Sequence, residues 1–167
     1  LDEASVEHAL KQFGMLQELY LQDAANVYAA VIPDKGYYLA EESGHLSMDY
    51  DTLFAMMEAG MPWAEHVDLT DTLSLDNYYR TDTHWRQEKL LAAAEKLCLA
   101  MGVTAPQASD YTAVPLERPF YGVYYGHAAL PMDPEPLYLM RSDLTDACSV
   151  FYFNQTTNSW QPHSQVY

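Results

Sequence analysis

A carboxylate and an imidazole stand two positions apart in the segment Tyr78-Tyr79-Arg80-Thr81-Asp82-Thr83-His84-Trp85. On an extended or turned backbone such a pair converges, directly or through a shared partner. The carboxylate then fixes the tautomer of the ring and stabilises its cation, which is what a general base needs. Tyr79, Arg80 and Trp85 flank the pair and are the candidate substrate contacts. Two other readings fit the same spacing: Asp82 caps a following helix while His84 and Trp85 pack beneath it, or Asp-x-His supplies ligands to a hydrolytic metal. The remaining histidines, His8, His45, His66, His127 and His163, form no ligand spacing. Neither a metal nor another cofactor is therefore expected.

A nucleophile would complete the pair, and an activated serine needs a strand-to-helix turn of the Asp-Ser or Gly-x-Ser-x-Gly kind. No serine of the chain stands in such a context, and Ser43 before Gly44-His45 reads as part of an exposed turn. A second chemistry is suggested further on, where Tyr124, Phe153, Trp160 and other aromatics crowd the chain. Exposed aromatic platforms beside polar groups are a way to stack sugar rings, although the same residues also suit a small β core. Arg118 and Arg141 could meet a carboxylate or acyl ligand there, or simply pair with the surrounding acids.

The elements that must position these residues follow from periodicity. Val6, Leu10, Phe13, Leu16 and Leu19 or Tyr20 recur every three to four positions and predict an amphipathic helix over 2–20, with Asp2 able to cap it. The β-prone run 26–32, stopped by Pro33-Asp34-Lys35-Gly36, predicts a strand buried on both faces, as in a parallel sheet. A second helix is expected from Ser47, a good N-cap, to Gly60, with Tyr50, Leu53, Phe54 and Met57 as its inner stripe. A short strand over 63–69 follows. A third helix is expected over 85–101, with Leu90, Leu91, Ala94, Leu97, Cys98 and Met101 inward and Gly102 just beyond. Helix, strand, helix, strand, helix is the order of an α/β layer structure.

Beyond Gly102 the pattern changes, because seven of the nine prolines lie there and helical periodicity disappears. Short strands are expected over 121–125, 137–140 and 149–153. The chain of 167 residues is long enough for about one domain plus a small annex, and for a core without staples. Its 8 basic and 24 acidic residues leave it without the basic footprint that nucleic acid or anionic lipid requires. The acids concentrate in residues 1–83, which carry 16 of them against 3 basic side chains, while residues 84–167 carry 8 and 5. No apolar stretch approaches the length of a membrane span, so a soluble segment without membrane contact is expected. Cys98 and Cys148 are expected to be free thiols, a single bridge being the alternative. The chain begins at Leu1 without an initiator methionine or signal-like apolar region, so a processed protein or an excised piece is expected.

The segment 78–85 resembles the signature of the DHHW proteins and of the related alginate O-acetylation proteins, which are SGNH-hydrolase-like. In that group the Asp and His of a Ser-His-Asp triad stand in an Asp-x-His-Trp motif that opens a helix, and the serine follows much later in a Gly/Arg-Asp-Ser turn. The resemblance implies that Asp82 orients, that His84 is the base, and that Trp85 is the motif tryptophan. Ile32-Pro33-Asp34-Lys35-Gly36-Tyr37-Tyr38 is similar to the family's strand followed by Pro-x-Lys. Two departures stand out: Thr83 replaces the second His of Asp-His-His-Trp, and Arg86-Gln87-Glu88 lacks the usual Thr-Pro helix opening.

The fold so implied is α/β, an SGNH-hydrolase-like (flavodoxin-like) partial parallel sheet flanked by helices over residues 1–102, with a loop-rich, Pro- and aromatic-rich β annex over 103–167. The implied function is part of an ester hydrolase or O-acyltransferase acting on an acylated small molecule or polysaccharide, with the serine outside this chain and the chain alone inactive. The implied location is extracellular or in the cell envelope. The alternative is a non-catalytic glycan-binding or structural module of the envelope. Oligomeric state is left open.

Overall fold

Asp2 is extended, and its Oδ1 accepts the Ser5 amide at 3.3 Å, which satisfies one of the open donors of a first helical turn. The helix it caps, α1 (Glu3–Leu16), runs on into one wide π turn at Gln17–Leu21. The structure, a computed structural model, describes residues 1–129 and 131–163. Of the expected inner stripe Val6 and Leu10 are half-buried, whereas Phe13, Leu16, Leu19 and Tyr20 are exposed.

β1 (Tyr28–Ala29) pairs in parallel with β2 (Glu65–His66), Tyr28 opposite Glu65 and Ala29 opposite His66. The expected parallel pairing is present, but the two strands are much shorter than the runs 26–32 and 63–69. β1 is half-buried, and Ile32 is exposed, so burial on both faces does not hold. The pairing is extended at its ends by the Glu65 and Val67 amides, which donate to the Val27 and Ala29 carbonyls, both at 2.8 Å.

Pro33-Asp34-Lys35-Gly36 ends the strand by starting a short helix, α2 (Lys35–Leu39), whose N-cap is Asp34. The next helix, α3 (Tyr50–Gly60), is capped by Asp49 and not by Ser47: Asp49 Oδ1 accepts the Thr52 amide at 3.0 Å, while the Ser47 hydroxyl turns to the Met48 carbonyl. Its stripe Tyr50, Leu53, Phe54 and Met57 is buried or half-buried as expected. α1 and α3 pack together.

The third helix, α4 (Leu91–Ala100), begins later than Trp85, because residues 78–85 close a loop and Gln87–Lys89 make a 3-10 turn first. Ala93 and Leu97 face the core, whereas Met101 is exposed, contrary to its expected place. Gly102 ends the helix with φ +67°, a conformation that glycine adopts without a Cβ penalty. The core is Val67, Leu69, Leu73 and Ala93, with Tyr28, Tyr38, Trp85, Leu97 and Ala100 around it. Trp85 of the motif is thereby tied to the packed interior.

After α4, β3 (Thr112–Pro115) pairs antiparallel with β4 (Tyr138–Arg141), Thr112 opposite Arg141 and Pro115 opposite Tyr138. β5 (Val150–Asn154) and β6 (Ser159–His163) form a separate antiparallel hairpin. The strand expected over 121–125 is instead a loop followed by a helix, α5 (Val123–Ala128). Local β propensity loses there to two tertiary bonds, since the Val123 and Tyr124 amides donate to Asp82 and Thr81. A last helical turn, α6 (Asp143–Asp146), is capped by Ser142. The chain is thus mixed α/β with small two-stranded sheets. Cys98 is half-buried, Cys148 is exposed, and they are not bridged. Among the described residues no helix is long and apolar enough to cross a membrane.

Candidate active site

The site is built on a tight hairpin-like loop. Tyr78 bridges Trp85, the Tyr79 amide donates to the His84 carbonyl at 3.2 Å, and the Arg86 amide donates to the Asn77 carbonyl at 2.7 Å. Tyr78 is buried, and its hydroxyl donates to the Pro33 carbonyl at the end of the first strand segment. Closing the ends of the loop in this way brings the side chains at its tip, Asp82 and His84, to one side.

There the two residues meet. His84 Nδ1 lies 2.5 Å from Asp82 Oδ1, and the same oxygen accepts the His84 amide at 2.9 Å. Asp82 Oδ2 accepts the Val123 amide, the first of α5, at 2.9 Å. Burial alone would raise the Asp82 carboxyl, but the Val123 and His84 amides and the imidazole together hold it below the ordinary carboxylate range. An ionised carboxylate only accepts, so Nδ1 carries the hydrogen. In the neutral ring the lone pair is therefore on Nε2. The Asp82 side chain is 9% exposed and that of His84 83%. His84 Nε2 makes no hydrogen bond among the described residues. A cap on the third helix is accordingly not the role of Asp82, and His84 is not packed beneath it.

The loop is held from two distant parts of the chain. Glu135, 5% exposed, accepts the Arg80 and Thr81 amides at 2.9 Å each and the Thr81 hydroxyl at 3.1 Å. Burial would raise its carboxyl, but these donors and the Arg80 charge bring it below its usual value. Lys35, at the start of α2, donates from Nζ to the Tyr79 and Arg80 carbonyls at 2.7 and 3.1 Å and stands 5.0 Å over the Tyr124 ring. Burial lowers the Lys35 ammonium, and the charges of Glu135 and Asp82 oppose that shift.

Gly122 is pressed against the same loop. A Cβ built there would lie 2.1 Å from the Thr81 carbonyl oxygen and 2.6 Å from Asp82 Cβ. Its amide donates to the Thr81 hydroxyl at 3.1 Å. Only a residue without a side chain lets the segment at Gly122 approach so closely.

Of the three flanking candidates, Arg80 projects its side chain outward, with Nε 3.7 Å from Glu135 Oε1. The Tyr79 ring is buried against Phe120, their centroids 4.9 Å apart, and Trp85 is half-buried beside Tyr78. Thr83 places its hydroxyl 3.5 Å from His84 Nδ1, on the side away from the ring's free lone pair. No serine hydroxyl bonds to His84 among the described residues, and Ser43 and Ser142 donate or accept within their own turns. No group of three or more metal-ligating side chains occurs among the described residues.

Glu135 and Gly122 escape a reading of the sequence. Glu135 stands between Pro134 and Pro136 in a proline-rich stretch that has the look of exposed loop. Its only signal is that the flanking prolines restrict the backbone around it. Gly122 carries no signal beyond its type.

No known family profile matches the sequence, and no curated protein matches it. Solved structures do. A DHHW family protein from Eubacterium siraeum superposes with a TM-score of 0.59 at 22% identity over 77% of this chain and 44% of its own. PatB1 of Bacillus cereus superposes with a TM-score of 0.70 at 14% identity over 95% of this chain and 59% of its own. A second PatB1 structure, with a sulfonyl adduct, gives 0.67 over 95% and 57%. The chain thus shares its fold with a DHHW family protein and with PatB1, and it spans about half the length of each.

Proposed function

We propose that this chain carries the acid–base half of an acyl-transfer site, part of an SGNH-like ester hydrolase or O-acyltransferase. The observation that carries the reading is the exposed imidazole whose Nδ1 hydrogen is committed to a buried carboxylate. That arrangement leaves Nε2 as the basic atom, facing solvent. A serine supplied from outside this chain would give its hydroxyl proton to Nε2 as its oxygen bonds to the acyl carbon. Asp82 stabilises the imidazolium so formed. The imidazolium then returns the proton to the departing alkoxide, and the acyl group passes from the serine to water or to a second alcohol.

The fold shared with PatB1, one of whose structures holds a sulfonyl adduct, supports covalent chemistry of this class. The SGNH-like layering, with its larger parallel sheet, belongs to the same proposal. Arg80 is the flanking residue with its side chain available to a substrate, while Tyr79 and Trp85 act by packing. The substrate is an acylated sugar polymer or a smaller acylated compound, which goes with an extracellular or envelope location.

A second reading is favoured by the β5–β6 hairpin, where Phe151, Tyr152, Phe153 and Trp160 are all exposed. Flat rings in that number suit a glycan-binding module. One experiment separates the two. In the longer protein that supplies the serine, His84→Ala is expected to lower acyl-ester turnover by about three orders of magnitude or more, with glycan retention unchanged. Unchanged turnover removes the catalytic role, and glycan retention lost on Trp160→Ala alone favours the binding module.

A further inference from the structure

Lys35 and Glu135 stand at opposite ends of the same two peptide groups. The peptide joining Tyr79 to Arg80 accepts from Lys35 Nζ at its carbonyl, 2.7 Å, and donates to Glu135 Oε1 from its N–H, 2.9 Å. The next peptide, joining Arg80 to Thr81, accepts from Lys35 at 3.1 Å and donates to Glu135 Oε2 at 2.9 Å. A peptide dipole has its negative end at oxygen and its positive end at N–H. A cation at the one and an anion at the other therefore fix its orientation in both senses. Two consecutive peptides fixed this way leave the backbone little freedom on arriving at Asp82.

We propose that Lys35 and Glu135 form an electrostatic clamp on the 79–81 backbone, and that they are positioning residues for the Asp82–His84 pair. This rests on the acid–base reading above and deepens it. The clamp reaches Asp82 by a second route, because the Thr81 hydroxyl donates to Glu135 and accepts the Gly122 amide, and the residue after Gly122 donates to Asp82. Neither clamp residue bonds to the imidazole. The charged groups around the clamp are Arg80, whose Nε lies 3.7 Å from Glu135, and Asp82, whose charge acts on Lys35. The clamp joins the end of the first strand segment to the annex. Ordering the loop thus draws on the segments around Lys35 and Glu135, although neither residue supplies an atom to the reaction.

The test uses this chain labelled with 15N in histidine. The readouts are the tautomer of His84 and the exchange rate of its Nδ1 hydrogen with water, for wild type, Lys35→Met, Glu135→Gln and the double variant. Wild type is expected to hold the hydrogen on Nδ1. Each single variant is expected to speed its exchange by about tenfold, and the double variant by no more than the more severe single, since both act on the same peptides. Thr81→Val, which removes only the relaying hydroxyl, gives a smaller effect of the same sign. It serves as the gentler probe if a charge variant fails to fold. Leu10→Ala loosens the α1–α3 packing, where Leu10 lies against Gly60, makes no contact with the loop and leaves the exchange rate at the wild-type value. An exchange rate unmoved by the clamp variants, or moved equally by Leu10→Ala, overturns the clamp. A wild-type ring with its hydrogen on Nε2 instead overturns the acid–base reading itself, and the clamp with it.

Discussion

The 78–85 loop and the β5–β6 hairpin are both short reversals of chain, yet they are held in opposite ways. The loop accepts hydrogen bonds from Lys35 and Val123 and donates to Glu135, residues distant from it in sequence. The hairpin's sheet partners among the described residues are its own two strands, β5 against β6, with Asn154 Oδ1 closing the turn on the Thr156 and Thr157 amides at 2.9 and 3.2 Å. The loop buries its carboxylate and exposes one ring, whereas the hairpin exposes four of its rings. A segment tied down by long-range polar bonds keeps one geometry, which suits directed chemistry. A self-closed segment with open aromatic faces suits contact with another surface.

The comparison breaks most readily at Gly122. Gly122→Ala forces a Cβ against the Thr81 carbonyl and Asp82 Cβ, and it is expected to destabilise the protein by about 3 kcal/mol. Denaturant unfolding measures that loss. The β5–β6 cross-strand contacts, followed by NMR, are expected to survive in conditions where the dyad loop has shifted. Loss of both together would show that the hairpin depends on the loop.

Acid sharpens the comparison with a smaller effect. Asp82 and Glu135 both have folded-state pKa values below their ordinary ones. Each therefore contributes stability that is fully present above the unfolded-state values, about 4, and lost as pH falls through the lower folded-state values. Glu135→Gln is expected to cost about 2 kcal/mol at neutral pH, and the gap between variant and wild type closes as the pH drops below about 4. Unfolding midpoints across pH give the curve. A gap of constant size would mean that the Glu135 charge is not what holds the loop.

Much of the helical framework was legible in the sequence because it is local. Asp2 stands where a first turn needs an acceptor, and Gly102 where a helix needs left-handed backbone, although the second helix takes Asp49 and not the expected Ser47 as its cap. The Asp82–His84 pairing was one of the readings the spacing allowed, since residues two apart converge on an extended or turned backbone, and the loop supplies that backbone. What supports the pair was not legible. Glu135 is distant from Thr81 in sequence, and no periodicity connects them. The helix Val123–Ala128 replaces an expected strand for the same reason, its first amides being claimed by Asp82 and Thr81. Likewise, the two short parallel strands reflect pairing between distant segments, while local β propensity alone suggests longer ones.

The central claim concerns where one hydrogen sits on one ring, and 15N shifts of the His84 side chain read it directly. The account predicts hydrogen on Nδ1 and a lone pair on Nε2 at neutral pH in wild type, and a shift toward the Nε2–H form in Asp82→Asn, where an amide N–H replaces an acceptor. A wild-type ring already in the Nε2–H form, or a tautomer that ignores Asp82→Asn, would contradict it.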